Sequence, residues 1–155
     1  MAHKVEKISN NAYDIKLGKI SSNLGFSPDF DNILEKKKWT FMYVYENETC
    51  DLLCEATLFV MQQVRESLGR ERQRISNILV IKDNFINEDN KKIINKYDKI
   101  RILQVIKKDF FKKLEKNHLY IIDPLGNIFI FYDKDFSAKG LKKDIKKILK
   151  VSRIG

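Results

Sequence analysis

Residues 39–54, WTFMYVYENETCDLLC, decide the fold. Trp39 to Tyr45 is a run of aromatic and β-branched residues, bounded by Lys36–Lys38 before it and by Glu46 and Glu48 after it. Such a run reads as a buried strand. Its end delivers the chain to Cys50. From Asp51 to Leu68 good helix formers dominate, Thr49 or Asp51 can cap the amino end, and Gly69 stands where a carboxyl-terminal stop belongs. The first half of that helix is apolar nearly all round, as expected for a helix packed on a sheet.

Cys50 and Cys54 are the only cysteines in the 155 residues, too few for a disulfide scaffold. Four residues apart at the start of a helix, they lie on one face and can meet each other or a single metal ion. Unpaired amides and the helix dipole at that end would favour a thiolate, the form that attacks disulfides and binds metals. A Cys50 that alkylates no faster than a free thiol at neutral pH would refute this. The bland reading is two small buried hydrophobes sharing a helix face. Against it stands the strand-to-helix junction, where ligands of open α/β sheets collect. His118 is the only histidine within the predicted domain and a candidate third ligand for soft Cu(I); as a strand-end residue satisfied by water or a carbonyl it would have no such role. Met42 and Met61 read as core.

Outward from this stretch, Ile75–Ile81 is a second strand, a short helix is expected near Asn87–Asn95, and Arg101–Ile106 is a third strand. Leu119–Ile122 and Ile128–Tyr132 flank Asp123, Pro124, Leu125, Gly126 and Asn127 as a β-hairpin. Leu141–Val151 closes the chain as an amphipathic helix with Leu141, Ile145, Ile148 and Leu149 in one stripe. Residues 1–37 are polar and rich in Asn, Ser and Lys; they read as a largely irregular arm, next to a single domain over 38–155. The element order predicts an α/β fold with a mixed central sheet, helices on both faces and a terminal hairpin plus helix. It resembles the thioredoxin arrangement.

The formal charge of +9 and a hydrophobic content of 43% describe a foldable, basic chain. Its lysines recur on solvated helix faces without the aromatic and Arg interleaving that stacks bases, so nucleic acid is not an expected partner. No window is long and apolar enough for a membrane span. Glycine-rich phosphate loops, nucleophile elbows and H-E-x-x-H zinc pairs are absent.

The run WTFMYVYENETCDLLC, together with Met61–Arg65, Leu68, Gly69, Arg74 and LYIIDPLGN at 119–127, resembles the Sco/SenC branch of thioredoxin-like proteins, in particular the small proteobacterial relatives associated with cytochrome oxidase. The resemblance covers roughly 38–151. It implies a domain on the periplasmic face of the inner membrane, anchored through a segment outside this sequence. It also implies copper binding or disulfide exchange at Cys50 and Cys54 during assembly of the oxidase copper centre, with an oxidase subunit or another periplasmic redox protein as partner. Without an upstream apolar segment the expected compartment is the cytoplasm. His118 does not match the family's ligand histidine, whose position falls near Glu115, and the prolines usual around the cysteines are missing. A metal-free thiol-disulfide oxidoreductase and a redox-silent adaptor are the alternatives.

Overall fold

The structure is a computed structural model and describes residues 5–9, 12–19, 37–82, 85–105, 114 and 118–152. Its centre is the strand expected from the aromatic run. β1 (Val5–Ser9) and β2 (Ala12–Lys19) precede β3 (Trp39–Tyr45), followed by α1 (Leu52–Ser67), a 3-10 turn (Gly69–Arg74), β4 (Ile75–Lys82), α2 (Glu88–Lys96) and β5 (Arg101–Val105). The chain then runs through β6 (His118–Ile122), β7 (Asn127–Tyr132) and α3 (Ala138–Val151). The sheet order is β1-β2-β7-β6-β3-β4-β5. β3, β4 and β5 are parallel neighbours, joined by crossovers that contain α1 and α2, while β6 pairs antiparallel with β3. The sheet is therefore mixed.

Every residue of β3 is buried, which demands cover on both sides of the sheet. Side chains alternate along a strand. Phe41, Tyr43 and Tyr45 join one apolar cluster with Cys54, Leu58, Met61 and Val64 of α1, Tyr97 after α2, and Leu141, Ile145 and Leu149 of α3. The described helices thus all meet this face. Met42 and Val44 on the other face are equally buried.

The amino-terminal arm needs correction. Val5–Ser9 and Ala12–Lys19 form an antiparallel hairpin, and β2 pairs with β7, so this segment extends the domain's own sheet. Tyr13, Ile15 and Leu17 carry the period of two that a strand requires, but the intervening Asp14 and Lys16 hide it in a composition count. The division at residue 37 therefore does not separate an irregular arm from the sheet.

Local chemistry explains the other boundaries. Asp51 caps α1, its Oδ1 accepting the Cys54 amide at 2.9 Å. Gly69 takes φ 61°, the left-handed conformation that ends α1. At the β6–β7 turn Asp123 Oδ1 accepts the amides of Leu125 and Asn127 at 3.0 and 2.8 Å. Arg74 donates to the carbonyls of Leu149 and Ser152, binding the 3-10 turn to the end of α3. An Arg74→Ala chain should lose about 1.5 to 3 kcal/mol in urea titration, since charge-assisted hydrogen bonds to main-chain oxygens are lost; an unchanged midpoint would contradict that assignment.

Burial also pushes up the phenols of Tyr43, Tyr45 and Tyr132. Their protons are held more tightly in the folded chain than in the unfolded one. The stability they contribute is fully present below the ordinary phenol value near 10 and falls as pH rises through and beyond it. Urea midpoints should therefore drop steeply above about pH 10, and Tyr132→Phe should flatten that slope.

Candidate functional site

The pair sits where β3 ends and α1 begins. Cys50 and Cys54 form a disulfide with Cα atoms 5.2 Å apart, so the two candidates picked out by spacing do meet. Cys50 lies in the segment before the helix and Cys54 in its first turn. Burial is deeper than a solvent-facing pair requires: Cys50 is 7% exposed and Cys54 0%, whereas Leu52 between them is 88% exposed. Both cysteines belong to the buried core, and of the two Cys50 is the less completely buried.

Two buried side chains shape the approach to Cys50. Tyr45, at the end of β3, donates its hydroxyl to the Thr49 carbonyl at 2.8 Å and lies edge-on to Phe85. From α2, Asn90 accepts the Cys50 amide at 3.0 Å and donates to the carbonyls of Glu48 and Phe85 at 2.6 and 2.7 Å. Sequence reasoning missed Asn90. The only signal was its place three residues after Asn87, the cap of α2, which says nothing about a cysteine 40 residues earlier. Beside the pair, Glu55 bonds Lys96 across the surface at 3.0 Å and raises the lysine's affinity for its proton.

The helix end is less favourable to a thiolate than a bare one. The Cys54 amide is committed to Asp51, and that carboxylate adds a like charge beside any thiolate. Asp51→Asn keeps an oxygen for the cap and removes the charge. It should speed alkylation of the reduced chain near neutral pH by roughly three- to tenfold, given the Coulomb term expected at a partly exposed site; an unchanged rate would mean that the carboxylate does not influence the thiols.

His118 is not brought to the pair. It stands opposite Val44, at the correct end of the sheet, but adjacent strand residues face opposite sides. Leu119, opposite Tyr43, belongs to the cluster shared with α1, whereas the His118 ring meets Phe131 edge-on at 5.3 Å on the other face. The expectation that His118 completes a metal site with the cysteines is therefore corrected. Position 115 lies outside the described residues. Among the described residues no group of three His, Cys, Asp or Glu side chains converges, and no helix is long and apolar enough to cross a membrane.

With this geometry established, comparison with known proteins places the chain. Residues 39–152 match the family described as the transmembrane-like, thioredoxin-like, C-terminal domain. The chain belongs to that family. No curated protein matches it by sequence. Among solved structures, yeast Sco1 superposes with a TM-score of 0.61 at 15% identity, covering 79% of this chain and 84% of that one. Copper-bound ScoI from Bradyrhizobium japonicum gives 0.55 at 16% identity, with 72% and 85% covered. A secreted Mycobacterium tuberculosis disulfide oxidoreductase homologous to E. coli DsbE gives 0.54 at 9% identity, covering 72% and 83%. These likenesses establish the thioredoxin-like fold of this family member, with Sco proteins among its structural neighbours.

Proposed function

We propose that this thioredoxin-like domain exchanges disulfides through Cys50 and Cys54, preparing the cysteines of a partner that will hold copper, such as a cytochrome oxidase subunit or another periplasmic redox protein. The observation carrying this reading is the closed pair at the β3–α1 junction, in which Cys50 is the less deeply buried partner. The step is a two-electron transfer. The Cys50 thiolate attacks one sulfur of the partner's disulfide, forming a mixed disulfide and releasing the partner's other sulfur as a thiolate. The Cys54 thiolate then attacks Cys50, closing the intramolecular disulfide and releasing the partner's second thiolate. The partner gains two electrons and the chain loses them. Working on the periplasmic face of the inner membrane, held by an anchor outside this sequence, accords with the Sco-like fold and the family's description.

The bond itself closes a short loop, with the cysteines separated by four positions. Chain-entropy arguments give such a loop about 2 kcal/mol. That is small beside the 5–15 kcal/mol typical of a domain, so the reduced chain should stay folded, as a cycling pair requires. Urea titration with and without dithiothreitol should show this difference.

Copper is a second reading, favoured by two soft sulfurs that meet at the amino end of α1 and by Sco neighbours solved with copper bound. Here Cu(I) would be cargo held by the Cys50 and Cys54 thiolates. Competition titration of the reduced chain against a Cu(I) chelator tests it: Cys50→Ser should abolish binding and His118→Ala should leave it unchanged. Loss of binding in His118→Ala would contradict the placement of that residue on the far face. The exchange reading is tested by adding oxidised glutathione to the reduced chain; a glutathione adduct at Cys50 that resolves to the intramolecular disulfide is expected, and failure of the folded chain to oxidise would count against it.

A further inference from the structure

We propose that Asn90 is a positioning residue that holds Cys50 within closing distance of Cys54 in the reduced chain, and thereby sets the pair's reduction potential. The inference rests on the cycling role proposed above. Asn90 is fully buried, and its amide has three main-chain partners: one N–H, from Cys50, and two carbonyls, those of Glu48 and Phe85. Those partners dictate which end of the amide is oxygen and which is nitrogen. None of them involves sulfur. The bonds therefore persist when the disulfide is cut.

Asn90 is itself anchored, its own amide bonding Asn87 Oδ1 at the cap of α2. Cys54 is fixed independently by the capped first turn of α1. The 5.2 Å separation of the two Cα atoms is thus framed by elements on either side that do not require the S–S bond. A side-chain amide serves all three partners, offering one acceptor and two N–H donors. Asp could accept from Cys50 but has no N–H for the two carbonyls, and Ala or Leu offers nothing. Without the amide, the segment before α1 keeps Tyr45's bond to Thr49 but loses two others, at Glu48 and at Cys50. The reduced Cys50 then samples more positions, its effective concentration at Cys54 falls, and the disulfide becomes less favoured over the dithiol.

The test equilibrates the full chain in glutathione redox buffers and counts dithiol and disulfide by alkylation and mass spectrometry. Asn90→Ala should lower the equilibrium constant for disulfide formation roughly tenfold, a potential about 30 mV less negative. Asn90→Asp should shift it in the same direction, and Ser137→Ala, which removes the α3 cap bond to Gly140 and none of the bonds of Asn90, should leave it unchanged. A folded Asn90→Ala chain within threefold of the wild-type constant would overturn the proposal. If Asn90→Ala does not fold, hydrogen exchange of the wild-type chain decides. A Cys50 amide protected in both oxidation states supports the proposal, and one that exchanges freely after reduction overturns it. A wild-type chain that cannot be cycled at all would instead refute the exchange function, so the two failures are distinct.

Discussion

A Cys54→Ser chain is expected to stall as a mixed disulfide through Cys50 when it meets an oxidised partner, with release slowed by more than about a hundredfold relative to the wild type. The intramolecular attack that clears the adduct depends on a second sulfur held next to the first, and proximity of that kind is worth many orders of magnitude. Cys50→Ser should behave differently. Its remaining thiol, on a fully buried Cys54, cannot be reached, so no adduct is expected. Mass spectrometry of both variants after exposure to oxidised glutathione distinguishes the roles. Equal adduct formation by the two variants would mean that the difference in burial does not decide which sulfur attacks.

The second large effect is on stability. Phe41 is fully buried in the central strand, on the face that meets α1. Phe41→Ala removes a ring from a packed site and leaves a cavity, which costs about 3–5 kcal/mol. That is at least about a fifth of the stability of an ordinary domain. Denaturant titration should show the loss, with thiol exchange retained wherever the variant is still folded. A loss under about 1 kcal/mol would mean that this face of β3 is not the centre of the core.

The residues that carry local instructions were the legible ones. The aromatic run of β3, the Asp51 cap and Gly69 mark β3 and α1 because each acts through its immediate neighbours. Asp123 announces its turn for the same reason, accepting amides two and four residues onward. The meeting of Cys50 with Cys54 was legible because the two stand four residues apart at the start of α1. What failed depended on distant pairing. Whether His118 faces the cysteines turns on its register against Val44, and a shift of one residue reverses the answer. The hairpin of Val5–Ser9 and Ala12–Lys19 was obscured because its alternation is diluted by charged residues and completed only by pairing with β7. Asn90 reaches the redox segment across 40 positions, through a contact that no local pattern encodes. The depth of Cys54 was likewise invisible, since it follows from how α1 seats against β3 and α3.

The central claim is that the Cys50–Cys54 bond is a working redox couple and not a staple. Its reduction potential in the folded chain measures this directly. We expect a reversible two-electron couple between about −300 and −120 mV, the span covered by exchange factors and their compartments. A bond that stays closed in the folded chain at potentials well below about −300 mV, as structural disulfides do, would contradict it.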